Sequence, residues 1–169
     1  MKIRYATVGD EKYIADVIIN TWKVAYRGIV SDDFLLSLTP EKHEKLFKES
    51  LSKKIGTTLV LEDREGKIVG MASGGAERSG EFDCEIVALY ILPGYQKKGY
   101  GKQLFKKLVQ EFKANDFTSM IIWTFKANKD LQFYKRLGGV IKKETTHLIG
   151  EKEIPIVGFF WHNTYDLCL

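Results

Sequence analysis

The chain has 169 residues, of which 44% are hydrophobic and 28% are charged, and its formal net charge is +4. This length is typical of one domain, so we expect residues 1–169 to fold as a single unit. No apolar run approaches the roughly 20 residues that a membrane span requires, and the amino terminus lacks the apolar core of a signal peptide. The sequence therefore predicts a cytoplasmic protein with no membrane partner.

The positive charge is concentrated partly between Lys97 and Lys113. Such a charge is compatible with nucleic acid, with a polyanionic small molecule or with a solvated helix face. Because no nucleic-acid-binding motif accompanies these lysines, we expect no nucleic-acid partner.

Cysteine and histidine usage gives little sign of a metal or a disulfide. Cys84 and Cys168 are far apart and lack metal-type spacing, which favours free thiols in a reducing compartment. The three histidines are scattered, with no cysteine or carboxylate partner at ligand spacing, so no metal site is predicted. They are His43, His147 and His162.

The chain begins with a predicted strand and helix. Residues 2–6 alternate as a short strand, and Thr7 with Asp10 resembles a capping box that starts a helix. Apolar residues from Ile14 onward then recur at the helical period until Gly28, which we expect to end the helix.

Two further helices are predicted before the next strand. Ser31 is suited to cap a short helix through residue 38, and Pro40 stands at the start of another, where proline is tolerated. The side chains of the second helix that we expect to face inward are Leu46, Phe47 and Leu51.

A hairpin and a longer strand follow. Residues 57–62 and 67–74 are β-rich and flank a turn with Gly66 in the left-handed position. A buried strand is predicted over 86–92, and Pro93-Gly94 stops it. Three antiparallel strands thus precede the loop that follows.

That loop, Gln96 to Gly101, leads into a helix whose apolar stripe falls at positions 104, 105, 108, 109 and 112. Glycines let the backbone approach a ligand closely, and a helix amino terminus presents unpaired N–H groups to an anion. A diphosphate site is one interpretation, and a tight turn beside a solvated lysine face is the other.

The carboxyl-terminal part returns to the sheet. Residues 119–125 form an apolar strand that the intervening helix makes parallel to strand 86–92. Asn128 is suited to cap a helix that Gly138 ends, and residues 140–147 and 154–161 predict a final hairpin.

Several of these segments resemble the GCN5-related N-acetyltransferase (GNAT) superfamily. Gln96, Gly99 and Gly101 match its Q/R-x-x-G-x-G/A signature, and Leu89-Tyr90-Ile91-x-Pro93 precedes it in the family's register. Asn128 and the run 133–138 match the family's second helix.

The resemblance implies a single-domain α/β fold with a mixed six- to seven-stranded sheet and helices on both faces. Its amino-terminal part would be antiparallel, and a central parallel pair would splay at the cofactor site. It also implies an N-acetyltransferase that moves an acetyl group from acetyl-CoA to a primary amine by direct attack in a ternary complex, without a metal, as a monomer or homodimer. The alternatives are a protein N-terminal or lysine acetyltransferase and a non-catalytic CoA-binding module.

By resemblance, twelve positions bind the cofactor. They are Leu89, Tyr90, Ile91, Gln96, Lys97, Lys98, Gly99, Tyr100, Gly101, Lys102, Asn128 and Tyr134. Asn128 has a second, compatible interpretation as a helix cap.

Two residues match the family's catalytic positions. Glu85 would accept the amine proton directly or through water, and Tyr134 would protonate or hydrogen-bond the leaving sulfur. An exposed charge and a core tyrosine are the plainer interpretations. The acceptor wall would comprise Trp22, Tyr26, Arg27, Phe34 and Glu85, although core packing explains Trp22 and Phe34 equally well.

The acceptor is hypothesised to be a polyamine or another small cationic amine. Glu81, Asp83 and Glu85 alternate as if onto one strand face, and Asp32-Asp33 would lie near the acceptor wall. Negative charge would raise the local concentration of such a substrate.

Overall fold

The computed structural model describes residues 1–167 as a seven-stranded sheet with helices on both faces. The order across the sheet is β1-β2-β3-β4-β5-β7-β6. The strands are β1 (Lys2–Tyr5), β2 (Thr57–Glu62), β3 (Ile68–Ala76), β4 (Cys84–Ile91), β5 (Met120–Phe125), β6 (Val140–Ile149) and β7 (Lys152–Trp161). The helices are α1 (Glu11–Ala25), α2 (Asp32–Ser37), α3 (Glu41–Lys53), α4 (Tyr100–Ala114) and α5 (Leu131–Arg136).

Two apolar layers hold the helices on the sheet. The stripe predicted for α4 is buried, with Leu104, Phe105, Leu108, Val109 and Phe112 packed against one face. The stripe of α1 packs on the other face, where Ile14 and Val17 meet Val60 of β2. Neighbours such as Val60 and Leu61 point to opposite layers because side chains alternate along a strand.

The sheet opens between its two parallel strands. β4 and β5 pair at Cys84↔Met120, Glu85↔Ile121 and Ile86↔Ile122, and no pairing follows beyond Ile86. All other neighbouring strands are antiparallel. This confirms the predicted mixed sheet with a splayed central pair, and the gap beyond Ile86 is called the fork below.

A β-bulge in β4 decides which groups face the fork. β3 pairs Ser73 with Ala88 but Gly74 with Ile86, so Val87 is an extra residue. Position 74 requires glycine, because a Cβ at this position would collide with the Glu85 carbonyl oxygen. The bulge shifts the alternation by one residue, so that Glu85 and Tyr90, five positions apart, line the same cavity.

The element boundaries of the amino-terminal half needed correction. The first helix begins at Glu11 and ends at Ala25, so Thr7 is not its cap and Gly28 lies beyond its end. Pro40 is the N-cap of α3 rather than its first residue. The prediction that Leu46 faces inward is wrong, because this residue is 53% exposed.

Element boundaries around the fork also differ from those predicted. β4 begins at Cys84, two residues before the predicted start, because its first pairs with β5 form there. Asp130, not Asn128, is the N-cap of α5. The Cys84 thiol is buried and free, whereas Cys168 lies outside the described residues. Within residues 1–167, no helix is long and apolar enough to cross a bilayer.

Candidate active site

The glycine loop presents a bare helix terminus. Gly99 has φ 83° and is the N-cap of α4, with no side-chain hydrogen bond to the helix's first N–H groups. That left-handed conformation favours glycine. Gln96 Nε2 donates to the Ile91 carbonyl oxygen at 2.8 Å, which ties the loop to the end of β4. The first turn of a 15-residue helix therefore lies open beside the fork.

Close packing supports this loop from behind. An added Cβ on Gly101 would lie 3.4 Å from the Phe133 ring of α5. Tyr100 packs against the core, whereas Lys97 and Lys102 are exposed. Lys98 Nζ donates to the Gly94 carbonyl oxygen at 3.0 Å, so this predicted cofactor-binding lysine is engaged within the loop.

Beyond Ile86, the backbone of β4 directs towards the fork peptide groups that pair with no neighbouring strand. Leu92 N–H donates to the Val69 carbonyl oxygen of β3, and the hydrogen-bonding direction alternates along an antiparallel strand. The peptide group of Tyr90 therefore faces β3, while the peptide groups of Leu89 and Ile91 point towards the fork. The sequence predicted that both residues bind the cofactor, and the bulge determines which way their peptide groups point.

A cavity of about 390 Å³ lies at the fork and contains Glu85. The side chain of Glu85 is only 8% exposed, and Arg78 Nη2 lies 3.2 Å from its Oε2. Trp22, Tyr26 and Tyr90 line the same space. The structure thus brings together the predicted carboxylate and two of the predicted wall residues.

Hydrogen bonding and burial fix the aromatic wall of the cavity, which consists of Trp22, Tyr26, Tyr90 and Phe125. Trp22 Nε1 donates to Tyr90 Oη at 3.1 Å, and Tyr26 packs edge-on against Phe125 at 4.7 Å between ring centroids. Burial raises the pKa of Tyr90, which hydrogen bonds from Trp22 and Tyr26 partly offset, and burial raises the pKa of Tyr26. These phenols therefore remain neutral donors and acceptors at neutral pH.

Tyr134 lies on α5 near the same aromatic wall. Its half-buried ring packs against Phe133 and Phe159 at centroid distances of 5.2 and 5.3 Å. Burial, with smaller contributions from Tyr90 and Asp130, raises its pKa above the ordinary value of 10.0. The phenol is therefore protonated at neutral pH. Tyr134 is not one of the residues that line the cavity around Glu85.

Asn128 has a clear structural task. Its Nδ2 donates to Thr124 Oγ1 at 2.8 Å, and its Oδ1 accepts the Asp130 N–H at 3.0 Å. It therefore holds the turn between β5 and α5. A contact with the cofactor remains a prediction.

Two predicted wall residues lie apart from the cavity. Arg27 is exposed, and Phe34 packs near Gly150 at the β6–β7 turn, where an added Cβ would meet its ring at 3.1 Å. Asp32 and Asp33 are exposed in the first turn of α2 and do not line the cavity.

The proposed acidic strand face is wrong. Glu81 and Asp83 precede β4, so they do not alternate with Glu85 on a strand. Glu81 pairs with Lys143. Asp83 Oδ2 accepts the N–H groups of Thr118 and Ser119 at 2.9 and 2.8 Å.

Sequence reasoning missed several residues of the cavity. Arg78 lies in a loop with no motif, so nothing in the sequence indicated its position. Alternation along strand 119–125 was the available signal for Trp123 and Phe125, which share one face. The missed lining residues are Glu77, Arg78, Val87, Trp123, Thr124, Phe125, His147, Ile149 and Ile156.

Comparisons with known proteins agree with this architecture. A family model described as "Acetyltransferase (GNAT) family" matches residues 23–139. The Uncharacterized N-acetyltransferase YuaI of Bacillus subtilis (strain 168) is 30% identical over 161 residues, covering 94% of this chain and 91% of the relative.

Two solved structures share the fold. The PaiA N-acetyltransferase of Thermoplasma acidophilum, in complex with coenzyme A, aligns with a TM-score of 0.74 and 19% identity over 92% of this chain and 96% of that chain. YncA of Salmonella typhimurium, a putative acetyltransferase solved with acetyl-CoA, has a TM-score of 0.72 and 19% identity over 96% and 93%. The chain belongs to the acetyltransferase (GNAT) family and is an N-acetyltransferase.

Proposed function

We propose that residues 1–169 act as one domain that transfers an acetyl group from acetyl-CoA to a primary amine by direct attack in a ternary complex. One observation carries the proposal: the buried carboxylate of Glu85 lines a cavity at the fork, and the loop before the uncapped amino terminus of α4 is tied to the end of the same strand, β4. Bound acetyl-CoA would supply an activated acetyl thioester.

The residues around the fork fit coenzyme A. Gly99, where an added Cβ would meet no atom within 4 Å, leaves the first turn of α4 open for a diphosphate, and Gly101 lets that turn pack closely on Phe133. The Leu89 peptide group and the Ile91 N–H can pair with an extended amide chain as an added strand would, because the Ile91 carbonyl oxygen is already taken by Gln96. The structural neighbours bound to coenzyme A or acetyl-CoA support this assignment.

Glu85 and Tyr134 have separate tasks in the proposed reaction. Glu85 accepts the proton that the amine loses as its nitrogen bonds to the acetyl carbon. Tyr134 donates a hydrogen bond or a proton to the departing sulfur, for which its raised pKa keeps the hydroxyl protonated.

Direct transfer is favoured over an acetyl-enzyme. Cys84 is fully buried, and burial raises the pKa of its thiol to about 12, so it supplies little thiolate. Among residues 1–167, no cysteine, serine or lysine lines the cavity around Glu85, and the Thr124 hydroxyl that does line it accepts a hydrogen bond from Asn128 Nδ2.

The test incubates the purified protein with acetyl-CoA and a panel of primary amines and peptides. Mass spectrometry should find one acetylated amine for each CoA released, and intact-protein mass should show no acetylated enzyme. Release of CoA without an acetylated amine, or a protein-bound acetyl group that the amine removes, would contradict the proposal.

A further inference from the structure

We propose that a second cavity, of about 760 Å³, holds a bulky uncharged part of the acceptor. The acceptor would then be a primary amine with a large apolar group rather than a polyamine. This inference rests on the proposed function, since it names the substrate class of the same site.

The second cavity adjoins the cavity around Glu85. It lies between α3 and the strands β3 and β4, and four of its lining residues also line the smaller cavity. The shared residues are Trp22, Arg78, Val87 and Tyr90. An amine whose nitrogen lies beside Glu85 can therefore extend its remaining atoms into the larger space.

Exposed apolar side chains converge on the larger cavity. Leu46 of α3, Ile55 and Val87 are 53%, 60% and 57% exposed, and all three line it. Phe47 and Ile18 add partly or fully buried apolar surface. Leaving such side chains in water forgoes about 25 cal/mol for each Å² of apolar area, so their clustering marks a binding surface.

The hydroxyl groups of this cavity already have partners within the protein. Ser50 Oγ donates to the Ile55 carbonyl oxygen at 3.0 Å, and Ser73 Oγ lies 3.0 Å from Thr58 Oγ1. A site built to bind a polar ligand keeps its polar groups free for that ligand. These hydroxyls are instead committed to the fold.

The charged groups of the cavity are neutralised as well. Glu49 pairs with Lys53 at 2.7 Å, and Arg78 pairs with Glu85. Burial lowers the pKa of His43, which keeps its imidazole neutral at neutral pH. A second ammonium group in this space would lose hydration, and it would gain a carboxylate only by displacing Lys53 from Glu49.

Two six-carbon amines provide a matched test. Hexylamine and 1,6-diaminohexane differ only in the far terminus, which is a methyl group in one and an ammonium group in the other. With CoA bound, calorimetry should show hexylamine binding at least about tenfold more tightly. Affinity should also rise about two- to fourfold for each methylene from propylamine to hexylamine.

A variant locates the binding in the proposed cavity. Leu46→Glu places a charge in the lining at a surface position, so folding should persist, and it should weaken hexylamine binding about tenfold. Leu36→Glu is the control, because Leu36 is a 76% exposed leucine that does not line the cavity. It should leave the affinity unchanged.

Binding and turnover separate the two claims. Preference for hexylamine that is lost in Leu46→Glu supports the inference, whether or not the amine is acetylated. If this binding is observed but no acetyl transfer occurs, the proposed function is contradicted and the inference about the cavity is not. Equal binding of the two amines, or unchanged hexylamine affinity in Leu46→Glu, would overturn the inference even if other amines are acetylated.

Discussion

Arg78 Nη2 lies 3.2 Å from Glu85 Oε2, yet the Arg78 side chain is 78% exposed and that of Glu85 is 8% exposed. The carboxylate is thus fixed in the cavity, whereas the guanidinium reaches it from solvent and is free to leave. An ammonium group that enters the cavity competes with Arg78 for the same carboxylate oxygens. We therefore expect the ion pair to lower the affinity of the site for amines modestly.

Removing the competing cation should favour the amine. In Arg78→Gln, we expect the KM for the amine to fall about two- to fivefold while kcat changes by less than about threefold, because an exposed ion pair contributes little energy. Arg64→Gln, at an exposed arginine of the β2–β3 turn, is the charge-matched control. Steady-state kinetics at low salt measures both values, and a raised KM in Arg78→Gln would contradict this role.

Glu85→Gln should slow the reaction most at low pH. The substitution preserves shape but removes the group that accepts the proton, and free amine is scarcest at low pH. We expect kcat/KM to fall about 100-fold near pH 6.5 and less as the pH rises. The measurement is the pH profile of kcat/KM, and a profile parallel to that of the wild type would contradict the prediction.

The other carboxylate of the cavity is the control for Glu85. Burial raises the pKa of Glu77, but hydrogen bonds from Ser79 and Glu81 outweigh this effect and lower the pKa to about 2. Through these hydrogen bonds the Glu77 carboxylate holds the loop that carries Arg78. Glu77→Gln should leave the shape of the pH profile unchanged.

Tyr134→Phe keeps the ring packing and removes the hydroxyl. We expect kcat to fall about 10- to 1000-fold with little change in acetyl-CoA affinity, as for an interaction made mainly in the transition state. Since burial raises the pKa of Tyr134, wild-type kcat should show no loss from its deprotonation below about pH 10. Single-turnover kinetics isolates the chemical step, and full activity in Tyr134→Phe would establish the core-tyrosine interpretation.

Asp83 clamps the closed end of the fork. Hydrogen bonds from the Thr118 hydroxyl and from the Ser119 and Thr118 N–H groups lower its pKa to about 2, below the ordinary 3.8. A lowered carboxyl pKa means that the stabilisation is present above pH 3.8 and is lost as the pH falls towards 2.

Asp83→Asn should therefore lower Tm by about 2–4 °C near neutral pH, and the difference should shrink as the pH falls towards 2 and vanish below it. Thermal unfolding measured across this pH range tests the prediction. Glu151→Gln, at an exposed turn, removes one negative charge without breaking the clamp. A Tm difference that grows on acidification would show that Asp83 does not act through its carboxylate.

The sequence predicted the sheet well because its signals were local. Periodicity located the buried stripe of α4, and strand–helix–strand order made β5 parallel to β4. The glycine signature marked the helix terminus beside the fork. Each of these features depends on residues within one or two neighbouring elements.

The bulge at Val87 had no such signal. An unbroken strand would place Glu85 and Tyr90 on opposite faces, because their separation is odd. Arg78 reaches Glu85 from a loop, and Leu46 lines a cavity instead of packing inward. These placements depend on tertiary contacts that periodicity does not encode.

Amide hydrogen exchange with and without acetyl-CoA tests the central claim most directly. If the donor pairs with β4 in the fork and its diphosphate binds the first turn of α4, the amides of Leu89, Ile91, Gly101 and Lys102 should exchange at least about tenfold more slowly. The Tyr90 amide, which faces β3, should change little. Protection elsewhere, with Leu89 and Ile91 unchanged at saturating acetyl-CoA, would contradict the account.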